Sequence, residues 1–436
     1  MTAHMTFDLP ARPAAAPRRP LKVVLFGFGT VGASVARILA DRAELAERIE
    51  LTHVFNRDVA RKRVPWVPDS VTWTQNVDEA LASTPDVVVE VMGGVEDPYT
   101  IVRRALAQGA SVVTANKMLL AAHGPELLQL AGEHGAQIRF EAAVGGGVPL
   151  IHGVREGLSG DTLTGVAGIL NGTCNYILSR MADSDESMDV VLADAQKLGY
   201  AEANPTADVD GFDAAAKLVV LAGIAFRRYT QLAEIPRRSI RSIASADFRY
   251  ARRLGCTIRQ ISEMHQHEGH FYAFVGPALV PAGSAFGRNL GANNVVTIYG
   301  RYGGESAFSG AGAGGPATAV AVVSDLLALT QRSGPDAEVW QPAVLGTPPA
   351  RPYYLRFIVR DRPGILATIA TALATEHVNL DAVLQEPGYP KEALPFVITV
   401  ESCEEAALLR ALHRISAESW HAEPPLALPM LMGQDS

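Results

Sequence analysis

Five charged side chains lie close together in the segment 199–217, GYAEANPTADVDGFDAAAK. They belong to Glu202, Asp208, Asp210, Asp213 and Lys217. Asp213 and Lys217 are four residues apart at the start of an apolar run, so a helix here would place both on one face near its first turn. Several carboxylates beside one lysine indicate a site for a polar substrate. A solvated ion pair has the same local pattern, and the spacing alone leaves both interpretations open.

A glycine motif near the N-terminus, GFGTVG, has the context of a dinucleotide site. It follows the strand-like KVVLFG and opens a helix predicted over 31–47. Gly27 suits a tight turn, Gly29 lets the backbone approach a pyrophosphate, and Gly32 allows close helix packing. A purely structural turn is the alternative. The strand before the motif and the helix after it favour dinucleotide binding.

The residues after the second predicted strand bear on the choice of cofactor. NAD-preferring sites usually carry an acidic residue here that binds the ribose 2′-hydroxyl. This chain has Asn56 and Arg57 instead, followed by three basic residues at 61–63. A guanidinium suits a 2′-phosphate, so we expect NADP(H) to be favoured over NAD(H). A solvated basic loop is the alternative.

Two charged residues stand at predicted strand ends. Lys117 ends TANK, where α/β folds bind ligands, and could act as a general acid or anchor a carboxylate; a surface lysine is the alternative. Glu141 lies in FEAAVGGGVP, where a carboxylate and turning carbonyls could hold a hard cation, or the glycines could form a hinge. His265, His267 and His270 lack a fourth ligand at zinc-like spacing, and we interpret them as part of a hairpin.

The order of apolar runs predicts the fold class. Up to about residue 150 they alternate with helix-like segments, which predicts a parallel sheet with helices on both faces. Later segments indicate an α+β region and then a ferredoxin-like βαββα order with a last strand at 426–431. The expected divisions are a disordered tail at 1–20, a Rossmann-type doubly wound nucleotide-binding domain at 21–150, an α+β substrate-binding and dimerisation domain at 151–300, a return to the nucleotide-binding domain at 301–330, a linker at 331–350, and a C-terminal ferredoxin-like domain at 351–436.

The composition excludes several classes of protein. The chain has 436 residues, 48% of them apolar, which fits about three domains. The 46 acidic against 38 basic residues give a formal charge of -8, and no basic stripe suits a nucleic-acid backbone. Cys174, Cys256 and Cys403 are scattered singly, which favours a reducing cytoplasm over a disulfide scaffold. No apolar run is long enough to predict a membrane span.

Six segments resemble homoserine dehydrogenases, in the same order, across 21–330: GFGTVG, TANK, FEAAVGGGVPLI, GILNGTCNYIL, GYAEANPTADVDGFDAAAKL and GAGAGGPATAVAV. The region from 351, with DRPGILATIA as its turn and helix, resembles an ACT domain. The resemblance implies reversible NAD(P)H-dependent reduction of L-aspartate 4-semialdehyde to L-homoserine, on the route to threonine and methionine. It also implies feedback inhibition by threonine through the ACT domain. The implied assembly is a homodimer built by the middle domain, or a homotetramer with further pairing through the ACT domains.

The resemblance also assigns roles to single residues. Lys117, Lys217 and Asp213 match the catalytic positions, and which lysine donates the proton stays open. Asn171 matches a loop lining the cleft, and Asp210 matches no active-site position. The substrate-binding positions are Glu202, Asp208, Lys117, Gly172 and Thr173, the last of which is also a predicted helix N-cap. The cofactor-binding positions are Gly27, Phe28, Gly29, Thr30, Val31, Gly32, Arg57, Gly93, Lys117 and Gly314. The positions for a monovalent cation such as Na⁺ are Glu141 and the carbonyls of Val144, Gly146 and Val148.

Two other functions stay open from the sequence. The chain could be another amino-acid or semialdehyde dehydrogenase with the same nucleotide-binding domain. It could also be a catalytically inactive amino-acid sensor that keeps the cofactor and ACT domains. Asp213 and Lys217 argue against the sensor, because a degenerate site need not retain either residue.

Overall fold

The computed structural model of the protein describes residues 19–267, 269–331 and 339–431. Most of the predicted disordered tail, residues 1–18, lies outside the described residues, as do residues 332–338 of the predicted linker. The described residues form three extended sheets with helices against them and one short two-stranded ladder.

The first sheet is parallel, and its central strands are almost wholly apolar. Its strands are β1 (Leu21–Phe26), β2 (Ile49–Phe55), β3 (Thr72–Thr74), β4 (Val87–Glu90), β5 (Ser111–Thr114) and β6 (Ile138–Arg139). Its helices are α1 (Thr30–Asp41), α2 (Val59–Lys62), α3 (Val77–Ala82), α4 (Glu96–Ala107) and α5 (Lys117–Glu133). Residues 23–26 are fully buried, as expected where helices cover both faces of a parallel sheet. The order of the described strands, β3-β2-β1-β4-β5-β6, confirms the predicted Rossmann-type doubly wound domain.

The first helix is shorter than the sequence pattern predicts. The prediction extended it to residue 47, whereas α1 ends at Asp41 because Arg42 leaves the helical conformation. A 3₁₀ turn over Ala43–Leu45 then directs Leu45 into the core, where it is 3% exposed. The apolar residues of this segment therefore serve two short elements instead of one long helix.

The second sheet is antiparallel, and the elements of this region combine long helices with strands. Its strands run in the order β10-β9-β7-β11-β12. Their bounds are β7 (Leu163–Ile169), β9 (Cys256–His267), β10 (His270–Pro281), β11 (Asn293–Gly300) and β12 (Gly304–Ala311), with the short β8 (Arg228–Tyr229) apart from the sheet. The helices are α6 (Leu150–His152), α7 (Gly172–Ser184), α8 (Met188–Lys197), α9 (Thr206–Val209), α10 (Phe212–Phe226), α11 (Ser245–Arg253) and α12 (Gly315–Gln331). α10 covers one face of the sheet, and α12 returns to pack against α1 of the first layer.

The C-terminal sheet has the order β15-β16-β14-β17 and is antiparallel throughout. Its elements are β14 (Arg351–Val359), α13 (Ile365–Thr375), β15 (Leu380–Gln385), β16 (Leu394–Cys403), α14 (Glu405–Ser416) and β17 (His421–Pro429). This arrangement confirms the predicted ferredoxin-like fold. The last strand begins at His421, earlier than the predicted residue 426. Pro424 and Pro425 are tolerated within it because β17 pairs on one side only, as an edge strand.

The C-terminal sheet is packed against the second layer. Tyr354, Val397 and Leu428 form one apolar cluster with residues of α7 and α11 such as Ile177 and Phe248. At its centre the carboxylate of Asp247 forms an ion pair with Arg356 and accepts a hydrogen bond from the Tyr354 hydroxyl at 2.8 Å. The C-terminal domain is thus held by an extended buried interface.

The described part of the predicted linker is bound along the second layer. β13 (Gln341–Pro342) pairs with β8, and Trp340 is 3% exposed. Among the residues that the structure describes, no helix is long and apolar enough to cross a membrane.

Candidate active site

Two helix N-termini from different layers meet at the candidate site. Asn116 caps α5, accepting from the Leu119 amide at 3.1 Å, and its side chain donates to the Gly94 carbonyl at 2.8 Å. This fixes Lys117, the first residue of α5, at the carboxyl edge of the parallel sheet. α10 begins after Gly211, whose φ of +80° lets the chain turn sharply into the helix.

Asp213 lies between two lysines. Its Oδ1 is 3.0 Å from Lys117 Nζ, and its Oδ2 is 3.0 Å from Lys217 Nζ. Lys217 also donates to the Leu170 carbonyl at 2.8 Å. The side chains of Asp213 and Lys217 are 15% and 12% exposed, against 31% for Lys117. Asp213 and Lys217 form the ion pair that their spacing on α10 predicts. Lys117, from the parallel-sheet layer, approaches the same carboxylate.

The charge state of Asp213 follows from its neighbours. Burial raises the pKa of its carboxyl, but the ammonium groups of Lys217 and Lys117 and the hydrogen bonds from Lys217 and Asn171 outweigh this effect. The pKa of Asp213 consequently lies well below its usual range. The carboxylate stays ionised and holds two ammonium groups side by side, an arrangement that can deliver a proton to a developing negative charge.

Asn171 connects Asp213 to a second carboxylate. Its Nδ2 donates to Asp208 Oδ1 at 2.7 Å and to Asp213 Oδ2 at 2.9 Å. Its Oδ1 accepts from the Cys174 amide at 2.8 Å and caps α7. The prediction that Thr173 is the N-cap is therefore wrong, because the helix already begins at Gly172. The Thr173 hydroxyl instead donates to the Tyr200 carbonyl at 2.7 Å.

The remaining acidic residues of the segment differ in their surroundings. Burial raises the pKa of Asp208, the hydrogen bond from Asn171 lowers it, and the charges of Asp213 and Glu202 raise it further. Glu202 is exposed on the same side of the site. Asp210 lies away from the lysines, where it accepts from the Ser239 hydroxyl at 2.5 Å and lies 3.4 Å from Arg241.

Gly172 is held closely at the edge of the same cleft. A Cβ at this position would lie 2.6 Å from the Ala292 carbonyl oxygen. A side chain here would push the first turn of α7 away from the strand that follows residue 292. The glycine thus allows the loop at 171–173 to approach the sheet.

The glycine motif has the geometry expected for a phosphate-binding turn. Gly27 has a φ of +104°, and a Cβ there would lie 2.8 Å from the Val91 carbonyl oxygen. A Cβ on Gly32 would lie 2.0 Å from the Gly27 carbonyl oxygen, whereas Gly29 faces open space. A cavity of about 160 Å³ is lined by this turn together with Arg57 and Lys62. The donor set and the open face at Gly29 fit a pyrophosphate.

Other predicted cofactor positions lie next to residues of this turn or of the cavity lining. Thr30 and Val31 form the first turn of α1, and a Cβ on Gly315 would lie 2.6 Å from Thr30 Cγ2, so the adjacent Gly314 is close to the same turn. Gly93 has a φ of +77° in the loop after β4. Phe28 is only 3% exposed, and its ring packs on that of Trp73.

A buried carboxylate that the sequence analysis did not single out supports the loop after β4. Glu90 accepts from the Met92 amide at 2.8 Å and from the Thr114 hydroxyl at 2.7 Å. Burial raises its pKa, and these hydrogen bonds oppose the rise. The sequence does mark Glu90, because it is the one charged residue inside the apolar run VVVEVM.

The predicted cation loop is compact, and its carboxylate is already engaged. Glu141 is 2% exposed and accepts from the amides of Ile151 at 2.9 Å and His152 at 2.7 Å. Burial raises its pKa, and these two amides oppose the rise. The Val148 carbonyl accepts from Leu150 at 2.7 Å. Carbonyl oxygens, and not this carboxylate, are the groups of the loop that fit a cation.

The glycines of this loop pack against the strand end that precedes α12. A Cβ on Gly146 would lie 2.7 Å from the carbonyl carbon of Gly312. The backbone from Val144 to Val148 is therefore held against residues 312–313, beside the predicted cofactor position Gly314. The cation loop therefore lies against the segment that leads to Gly314.

The histidines of HQHEGH belong to the β9–β10 hairpin. His265 stacks on Tyr272 with ring centroids 5.3 Å apart and lies 3.6 Å from Glu263. Within the described ranges, no group of three or more His, Cys, Asp or Glu side chains could hold a metal ion.

Comparisons with known proteins bear on the whole chain. Residues 27–141 match the family model "Homoserine dehydrogenase, NAD binding domain", and residues 149–327 match the model "Homoserine dehydrogenase". The homoserine dehydrogenase of Pseudomonas aeruginosa is 37% identical over 92% of this chain and 96% of its own length. That of Mycobacterium tuberculosis is 40% identical over 89% of this chain and 93% of its own.

The chain belongs to the homoserine dehydrogenase family. It is therefore an oxidoreductase with a nucleotide-binding domain of the NAD(P) type. A solved homoserine dehydrogenase from Thiobacillus denitrificans is 33% identical, covers 95% of this chain and 99% of its own, and superimposes with a TM-score of 0.87. Residues 353–417 match the ACT domain model, which supports a small-molecule effector for this homoserine dehydrogenase. The resemblance in the sequence is confirmed at the level of family and fold.

Proposed function

We propose that this chain catalyses the reversible NAD(P)H-dependent reduction of L-aspartate 4-semialdehyde to L-homoserine. The observation that carries the proposal is the Lys117–Asp213–Lys217 cluster, with both ammonium groups 3.0 Å from one carboxylate. Asn171 connects the cluster to Asp208, and Asn116 beside Lys117 donates to the Gly94 carbonyl in the loop after β4, close to the cavity residue Met92. A reduced aldehyde oxygen needs a proton there, and a substrate ammonium needs a negative partner.

The substrate ammonium binds at Glu202 and Asp208. Asp208 is half-buried and held by Asn171, whereas Glu202 is exposed. Because burial raises the pKa of Asp208, a bound ammonium stabilises its charged form. Gly172 and Thr173 form the neighbouring wall of the substrate site.

Lys117 is the proton donor in this proposal, and Lys217 positions the Asp213 carboxylate. Lys217 is the more buried of the two lysines and is held by both Asp213 and the Leu170 carbonyl. Lys117 is more exposed and belongs to the layer that holds the cofactor. In the forward direction the aldehyde carbon gains a hydride, the C=O π bond breaks, and the oxygen takes a proton from the Lys117 ammonium. Solvent returns that proton to the lysine.

The crevice at Gly27, Gly29 and Gly32 fits the pyrophosphate of a dinucleotide, and Gly93, Thr30, Val31 and Gly314 lie next to residues of this turn or of the cavity lining. A bound nicotinamide supplies the hydride. We favour NADP(H), because Arg57 and Lys62 line the cavity where a 2′-phosphate would lie. Steady-state kinetics with NADPH and NADH compared directly test this preference.

A monovalent cation such as Na⁺ fits the backbone carbonyls at Glu141, Val144, Gly146 and Val148. The Glu141 carboxylate contributes by holding the amides of 151 and 152, and so the shape of the loop. The cation would brace the contact of this loop with residues 312–313, which precede the cofactor position Gly314.

Threonine is the proposed effector, and a homodimer, or a homotetramer paired through the ACT domains, is the proposed assembly. The apolar interface of the ACT sheet with α7 supports coupling to the site, because α7 begins beside Asn171. The edge strand β12 of the second sheet carries the small, exposed residues Ala307 and Ser309, which suits packing of a second copy.

One assay tests the reaction and the regulation together. Pure, folded protein is mixed with NADPH and L-aspartate 4-semialdehyde, with and without threonine, and the loss of absorbance at the NADPH band is followed. We expect semialdehyde-dependent oxidation that threonine slows. Absence of turnover contradicts the reaction and favours a sensor; turnover that threonine leaves unchanged contradicts the feedback proposal alone.

A further inference from the structure

Trp340 lies between the two helices that carry the site lysines. It belongs to neither of the matched enzyme and ACT segments, which end at residue 327 and begin at residue 353. Its indole is 3% exposed and has Gly124 of α5 on one side and Gly223 of α10 on the other. The ring of Phe140 completes the pocket, with ring centroids 6.0 Å apart.

The two glycines leave room for this ring. A Cβ on Gly124 would lie 2.9 Å from Trp340 Cζ3, and a Cβ on Gly223 would lie 2.4 Å from Cε2 and Cζ2. Glycine inside a helix is less favourable than alanine, so a glycine in each helix facing one ring indicates a specific packing need. The indole occupies the volume that side chains of both helices would otherwise fill.

These helices meet again at the active site. Lys117 and Gly124 are seven residues apart, so they share one face of α5, separated by roughly 10 Å along its axis. Gly223 follows Lys217 on α10 at a comparable axial distance. The helices therefore contact each other at the ion pairs of Asp213 and again at the indole, about two turns further on in α5 and about three turns further on in α10.

Backbone hydrogen bonds on the C-terminal side of Trp340 hold the indole in its position. Gln341 donates its amide to the Arg227 carbonyl at 3.0 Å, and Ala343 donates to the Tyr229 carbonyl at 2.7 Å. Further on, Arg351 at the start of the ACT strand lies 2.7 Å from the buried Glu263 carboxylate. The segment that leads to the ACT domain is thus tied to the second layer on both sides of the proline-rich stretch.

We propose that Trp340 is a positioning residue for catalysis: its indole sets the spacing of α5 and α10 and so keeps Lys117 on the opposite oxygen of Asp213 from Lys217. The segment that joins the enzyme to its ACT domain is then a structural part of the active site. The inference rests on the proposed reaction for its kinetic test, and on helix geometry for a second test that needs no turnover.

The kinetic test uses Trp340→Phe, which keeps an aromatic ring and removes volume, and Gly124→Ala, which adds a methyl group. Trp420→Ala is the matched control, since Trp420 is 2% exposed in the core of the ACT domain. Because a small displacement of reacting groups is costly, we expect Trp340→Phe to lower kcat per folded molecule by at least about tenfold, with the KM for NADPH unchanged. Trp420→Ala lowers thermal stability and leaves kcat unchanged.

The double variant separates positioning from general packing. The added methyl of Gly124→Ala points at Cζ3, Cε3 and Cη2 of the indole, which Trp340→Phe removes. We therefore expect the double variant to have a higher kcat than either single variant. Native kcat in Trp340→Phe, or a double variant no faster than the singles, overturns the inference.

Spin labels on the exposed residues 129 of α5 and 227 at the end of α10 give the second test. Trp340→Phe shifts or broadens the distance distribution between them, and Trp420→Ala leaves it unchanged. If the wild-type protein fails to reduce the semialdehyde, the proposed reaction is wrong and this distance decides the inference alone. An unaltered distribution in Trp340→Phe overturns it.

Discussion

Replacing Asp213 with asparagine removes the charge that holds the two lysines together. Asn has nearly the same size and can still accept a hydrogen bond, so the change isolates electrostatics from packing. In the native site, each ammonium lies 3.0 Å from a different oxygen of the carboxylate. Without the negative charge the two ammonium groups face each other across a neutral amide.

The size of the effect follows from the geometry. Two unit charges roughly 6 to 8 Å apart repel each other by about 2 to 3 kcal/mol at an effective dielectric constant of about 20. That energy corresponds to a loss of about 30- to 150-fold in kcat/KM if it opposes the reacting arrangement. The partial exposure of Lys117, 31% against 12% for Lys217, favours the lower end of this range.

The assay is NADPH oxidation with L-aspartate 4-semialdehyde over a range of substrate concentrations. Asp210→Asn is the matched control, since Asp210 lies in the same segment but contacts Ser239 and Arg241. We expect the control to keep its kcat/KM. If folded Asp213→Asn has a kcat/KM within about threefold of the wild type, the two-lysine account of the site is wrong.

Three further predictions concern the lysines, the cofactor and the ACT junction. Lys117→Ala should lower kcat by a factor on the order of a thousand and Lys217→Ala by less, on the order of a hundred, in the same assay; the reverse order would transfer proton donation to Lys217. Arg57→Ala should raise the KM for NADPH by about tenfold and leave that for NADH unchanged; equal changes would reject the 2′-phosphate contact. Burial raises the pKa of Glu263, but its partners, including Arg351, bring it below the ordinary value. The contribution of ionised Glu263 to the free energy of unfolding is fully present above about pH 4.3, and it is lost as pH falls through the lowered pKa of Glu263. The difference in thermal midpoint between wild type and Arg351→Met should therefore shrink on acidification, and a constant difference would contradict this linkage.

Local spacing explains what the sequence could predict about the site. Asp213 and Lys217 share a helix face because they are four residues apart, and GFGTVG indicates its turn because each glycine has a steric reason to be there. These inferences need no knowledge of distant contacts. The alternation of apolar runs predicts the parallel and ferredoxin-like sheets in the same local way.

Contacts between segments that are far apart in the chain could not be predicted from the sequence. The pairing of Lys117 with Asp213 joins two layers, and spacing within one helix contains no information about it. Thr173 is predicted as an N-cap because threonine is a good capping residue, but Asn171 takes this position by accepting from the Cys174 amide. Trp340 stood in a proline-rich stretch whose composition indicates a linker, while the glycines that receive it are far away in the chain.

The most direct test of the account is the steady-state rate of NADPH oxidation by the purified protein with L-aspartate 4-semialdehyde as the varied substrate. We predict saturable turnover whose product is L-homoserine, and its loss by about 30-fold or more in kcat/KM when Asp213 becomes asparagine. No semialdehyde-dependent oxidation by folded wild-type protein would contradict the proposed reaction.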